Sequence, residues 1–159
     1  LIDAIKDYEQ RGGLLEFVFA GGGIFSDRIQ KLSEETDLVT YCGLISTDQA
    51  ALILNNYEWA LAPIDDQITR FAFPSKISSY VYSGAKILAI CNKHTSVAKW
   101  VKSNNVGIAI EPKIEELVKI FFKIENFKLD TSFMDLERIE LKKIYHMDKF
   151  VNNIKSKIF

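Results

Sequence analysis

An α/β fold built around parallel strands is predicted by two features of the sequence: short apolar runs rich in strand formers alternate with segments of helical periodicity, and glycines or prolines cluster where the runs end. Leu1, Ile2, Ile5 and Tyr8 lie at helical spacing over 1–11, and the Gly12–Gly13 pair supplies a stop. Leu14 to Ala20 (LLEFVFA) is a strand of the kind covered on both faces, closed by Gly21-Gly22-Gly23. The alternation continues with a helix over 27–35, a strand over 38–41, a helix over 47–55, a strand over 59–62, a helix over 75–83, a strand over 86–91, a helix over 95–104 and a strand over 106–110. An amphipathic helix spans 115–125, and a lysine-rich, mostly helical stretch runs from Ser132 to Phe159. Parallel neighbours require a crossover, usually a helix, so this order reads as a Rossmann-like three-layer α/β domain over 1–126 with a helical extension over 127–159.

Composition narrows the function. The chain has 159 residues, 48% of them apolar and 26% charged, which suits one domain with a real core and excludes a disordered chain. Twenty basic against 21 acidic residues leave a net charge of −1, so no global field draws nucleic acid, and any anion site must be local. The 112–159 stretch, with 10 basic and 8 acidic residues, is only mildly basic. Cys42 and Cys91 have no C-x-x-C spacing, which fits a reducing compartment, and no H-x-E, D-x-D or His cluster indicates a metal site. No window carries the roughly 18 apolar residues of a membrane span. The chain starts at Leu1, without Met and inside a helical pattern, and is read as a piece of a longer protein.

In open parallel sheets, ligands sit beyond the carboxyl ends of the strands, which singles out the loops at 21–26, 42–46, 63–74 and 91–95. Gly21-Gly22-Gly23 lets a backbone approach a ligand closely, and the amides opening the next helix can meet a phosphate. As a dinucleotide fingerprint, Gly21-x-Gly23-x-x-Ser26 lacks its third glycine, and Tyr41 and Cys42 stand where a ribose-binding acid belongs, which disfavours an NAD-dependent oxidoreductase. Ser75 is a candidate helix cap, and Lys76 in the first turn opposes the helix dipole, a conflict that a bound anion relieves. Asp65, Asp66 and Arg70 share the loop before that helix, Arg70 being the candidate second cation. His94 and His146 read as surface residues, and Trp59 and Trp100 as packing residues.

Five motifs in order carry a family resemblance: Phe17 to Gly23, Tyr41-x-Gly43, Trp59-Ala60-Leu61-Ala62-Pro63, Pro74-Ser75-Lys76-Ile77-x-x-Tyr80 and Ser83-Gly84-x-Lys86-Ile87-Leu88-Ala89, followed by Asn105-x-Gly107-Ile108. Over about residues 1–124 the chain resembles the C-terminal, donor-binding half of a GT-B glycosyltransferase of the family-4 type. The resemblance implies binding of a nucleotide diphosphate sugar and no further cofactor. A separate N-terminal domain would hold the acceptor, and a retaining hexosyl transfer, most often in surface polysaccharide assembly, would take place between the two. It places Gly21, Gly22 and Gly23 near the phosphates or sugar, and Tyr41, Cys42 and Gly43 near the base. Phe73, Pro74, Ser75 and Lys76 would lie at the diphosphate, with Lys76 stabilising the leaving group and Arg70 as a further candidate. Ser79 and Phe71 stand where the family's E-x7-E glutamates would contact ribose and sugar. The family's donor domain opens with a Gly-Arg strand and a Lys-Gly turn, which would lie before Leu1, so the isolated chain is expected to bind donor weakly and transfer nothing. The missing acceptor domain is the expected partner, with a cytoplasmic location that for the whole protein is peripheral at the inner membrane face. Phe150, Ile154 and Ile158 mark a face for domain contact or self-association. A non-catalytic nucleotide-binding module on the same fold is the alternative, favoured by the two absent glutamates.

Overall fold

The computed structural model describes residues 1–64, 74–129 and 131. The alternation is as expected: α1 (Ile2–Gln10), β1 (Phe17–Phe19), α2 (Ser26–Glu35), β2 (Val39–Tyr41), α3 (Thr47–Asn55), β3 (Trp59–Pro63), α4 (Ser75–Ser83), β4 (Lys86–Ile90), α5 (Ser96–Ser103), β5 (Gly107–Ile110) and α6 (Ile114–Glu125). All strand pairings are parallel, β1 with β2 in one sheet and β3-β4-β5 in another, so the fold is Rossmann-like α/β. The expected helical extension from Ser132 onward, His146 within it, and the loop holding Asp65, Asp66, Arg70, Phe71 and Phe73 lie outside the described residues. The chain divides into two compact units, Leu1–Ile53 with Pro112–Leu129, and Leu54–Glu111, to which Thr131 belongs.

In the first unit, Tyr8 organises the packing. Its ring meets Phe17 of β1 and Phe121 of α6 edge-on, with centroids 6.1 and 5.5 Å away, and lies 4.7 Å from Phe122. Its hydroxyl accepts the Leu14 and Leu15 amides at 3.2 and 3.1 Å, and the Glu125 carboxylate accepts its proton. Those bonds explain why β1 begins at Phe17 and not at Leu14: the amides of Leu14 and Leu15 already serve the turn. Gly13 is required beneath the ring, because a Cβ there would sit 2.2 Å from the Tyr8 side chain. Across the same unit, Arg11 forks onto Asp7 and Glu115, tying α1 to α6, and both carboxylates hold its guanidinium protonated. Lys6 pairs with Glu35 of α2 and holds that carboxyl below its ordinary range.

The second unit is built on β4, whose five residues, Lys86 to Ile90, are all buried. Ile87 and Ala89, together with Cys91 just beyond the strand, meet Ile77 and Val81 of α4 and Val97, Ala98 and Val101 of α5. Trp100 packs against this cluster, as the sequence predicts. Leu88 and Ile90 are equally covered, so the strand has no solvent face, the pattern of a central parallel strand. Helix α4 ends in a left-handed Gly84 (φ 87°), whose amide caps back onto Val81.

A Cβ on Gly107 would lie 2.0 Å from the Ile87 carbonyl oxygen, main chain that does not yield. Gly107→Ala is therefore expected to cost about 3 kcal/mol, lowering the melting temperature by about 10 °C. Gly23→Ala, which meets open space, should move it by less than about 2 °C. Burial, reinforced by Glu125, pushes the Tyr8 phenol up to about 12 from 10.0. A phenol that stays neutral longer in the folded chain contributes stability below its unfolded value, and that contribution is lost as pH rises towards the folded value. Urea midpoints of the parent should thus fall more steeply than those of Tyr8→Phe between about pH 10 and pH 12; parallel pH profiles would contradict it.

Candidate functional site

In the first unit, the loops after β1 and β2 close on one another. Gly21 (φ 119°) donates its amide to the Gly43 carbonyl at 2.7 Å, and the Tyr41 hydroxyl donates to the Gly21 carbonyl at 2.9 Å. Gly43 itself takes φ 63°, a dihedral that favours glycine, while that of Gly21 demands it. The Cys42 amide continues the ladder to Phe19 at 2.8 Å, and its thiol is half-buried and free. Gly21, Gly22, Gly23, Tyr41, Cys42 and Gly43 are thus brought together at the carboxyl end of β1 and β2.

This loop is less open to an anion than its glycines imply. The Gly23 amide is taken by the Ser26 hydroxyl at 2.8 Å, and the Gly21 amide by Gly43. Exposed Asp27 occupies the first turn of α2 and already answers the positive end of that helix. These contacts occupy the Gly21 and Gly23 amides of the loop. What the loop offers is close backbone approach: a Cβ on Gly21 or Gly23 would meet nothing within 4 Å. Leu44 leans over Gly22, 3.1 Å from its Cβ position.

The second unit holds Pro74, Ser75, Lys76 and Ser79. Ser75 is not the cap. Pro74 takes the N-cap position (φ −64°, ψ 121°), Ser75 is the first helical residue, and no side chain caps the helix. Proline's fixed φ and the extended ψ before the helix put it there, and its ring supplies no acceptor for the first-turn amides. Ser75, Lys76 and Ser79 are exposed, while Ile77 anchors the turn in the core.

The other helices that follow strands carry either a side-chain cap, as at α3 and α5, or acids in the first turn, as at α2 and α6. At α3, Ser46 and Gln49 exchange reciprocal bonds, the Ser46 amide to Gln49 Oε1 at 2.9 Å and the Gln49 amide to Ser46 Oγ at 3.2 Å, with Asp48 in the turn. At α5, Thr95 Oγ1 accepts the Ala98 amide at 3.1 Å and donates to the Asn92 carbonyl at 2.9 Å. The preceding turn is closed by the His94 amide on Asn92 Oδ1, with His94 itself exposed as expected. At α6, Glu115 and Glu116 fill the first turn. Among the described residues, α4 is the helix after a strand whose start has neither a side-chain cap nor an acid, and it carries Lys76.

The S-x-x-Q box at α3 has a local sequence signal, since Ser46 and Gln49 stand at the required spacing. The inward use of the Gly21 and Gly23 amides had no such signal, because it arises from the Gly43 carbonyl and Ser26 hydroxyl arriving through the fold. No group of three or more His, Cys, Asp or Glu side chains able to hold a metal ion occurs among the described residues, and no helix there is long and apolar enough to cross a membrane. No protein-family model matches the chain, and a search of the curated proteins finds no match.

Proposed function

We propose that the chain is the donor-binding half of a retaining glycosyltransferase, receiving the diphosphate of a nucleotide sugar at the start of α4. The observation that carries this reading is the contrast among helix starts. Side chains cap α3 and α5, and first-turn acids answer the dipole at α2 and α6, whereas the start of α4 has neither a side-chain cap nor an acid and carries an exposed lysine. A lysine at this end of a helix is unfavourable by itself, and a bound diphosphate turns both the dipole and the ammonium into favourable terms. When the glycosidic bond breaks, negative charge grows on the departing diphosphate, and fixed amides with Lys76 stabilise that state more than the ground state.

Acceptor activation belongs, in this reading, to a second domain, and surface polysaccharide synthesis is the process that the motif resemblance favours. A nucleotide-binding module without transfer activity is the second reading, favoured by exposed Ser79 where the resembled family has a carboxylate for ribose.

Calorimetric titration of the chain with UDP, GDP, ADP and NAD tests the proposal. One nucleoside diphosphate should bind with a dissociation constant on the order of 1 mM, and Lys76→Ala should weaken it about tenfold, the loss of one charge-assisted contact. Preference for NAD, or binding indifferent to Lys76, would contradict it.

A further inference from the structure

Lys86 opens β4 at the end of the strand opposite the candidate loops, and it is a buried cation, 6% exposed. Burying an ammonium is costly unless its donors are used, and here each neighbour answers it. The Glu58 carboxylate pairs with it, the Thr131 hydroxyl accepts at 2.8 Å, and the Trp59 ring lies beneath it at 5.9 Å from Nζ to centroid. Glu58 and Trp59 belong to the adjoining end of β3, since Trp59 is in register with Lys86 and the Lys86 amide bonds the Glu58 carbonyl at 2.7 Å. Thr131 reaches this place from another part of the chain. Lys128 and Leu129 belong to the first compact unit, and Thr131 to the unit of β4.

We propose that Lys86 is a clasp: through the Thr131 hydroxyl it fastens the chain beyond α6 to the amino-terminal end of the β3–β4 pair. Four residue steps separate the Trp59–Lys86 pair from the Pro63–Ile90 pair at the other end, about 13 Å along the strands, so the attachment point leaves the start of α4 clear. The ion pair and the clasp are separable by substitution. Glu58 is more than half exposed, and losing its partner returns it to water, so Lys86→Met keeps the apolar stem and removes the charge without orphaning a buried group. Thr131→Val keeps the side-chain shape and removes only the hydroxyl.

Limited trypsin digestion of the 159-residue chain, with the cut after Lys128 followed by mass spectrometry, reads the clasp directly. Lys128 is exposed, and its amide is bonded to the Lys123 carbonyl at 2.9 Å, so cleavage there depends on local opening. Thr131→Val is expected to speed that cut about tenfold, the equivalent of one hydrogen bond to a charged donor, with the melting temperature unchanged within about 2 °C. Lys86→Met should match it. A cut rate within twofold of the parent in Thr131→Val overturns the proposal whatever Lys86→Met does, and so does a faster cut accompanied by equal acceleration at sites inside α4 and α5, which would report general unfolding. If Lys86→Met fails to fold, Thr131→Val alone decides.

Discussion

The second unit depends on one constraint: β4 has no face left for water. With all five residues of Lys86 to Ile90 buried, helices must cover it, and both α4 and α5 supply side chains to the cluster around Ile87, Ala89 and Cys91. That requirement dictates the neighbours' composition. Gly107 stands in β5 because the Ile87 carbonyl leaves no room for a Cβ, and Ala60 and Ala62 in β3 are the small buried residues on the other flank. The strand's one polar member, Lys86, is tolerated because it lies at the strand's edge, where Glu58, Trp59 and Thr131 converge. Packing of Ile77 and Val81 thus anchors α4 and leaves Ser75 and Lys76 at its start exposed.

The first unit solves the same problem differently. Its two-stranded sheet is short, and its packing is organised through aromatic rings, with Tyr8, Phe17, Phe121 and Phe122 meeting edge-on or tilted. Tyr8 combines both kinds of stabilisation, because its ring fills space while its hydroxyl closes the turn that delivers the chain into β1. The glycine loop then follows three residues of strand, held by Gly43 and Tyr41.

Most of the fold was legible because its signals are local. Helix α3 over 47–55 and α4 over 75–83 were read to the residue, since a run of helix formers ends at Asn55 and a glycine follows Ser83. Strand ends were less legible: Leu14 and Leu15 look like strand residues, and the Tyr8 hydroxyl and the distant Glu125 carboxylate divert their amides. The same distinction governs the site. Lys76 at the start of α4 is a one-dimensional signal, recognisable from charge against dipole, while the use of the Gly21 and Gly23 amides depends on partners that the fold brings in. Ser75 was assigned the cap by residue type, but the preceding proline took that position because its backbone geometry suits it. The effect is to leave the α4 start more open than the sequence implied.

Amide chemical-shift mapping tests the proposed anion site at the start of α4 most directly. Titration of the 15N-labelled chain with pyrophosphate, and then with the nucleoside diphosphates, should move the amides of Ser75 and Lys76 first. Unmoved α4 amides, with shifts at the starts of α2, α3 or α5 or none at all, would contradict the account.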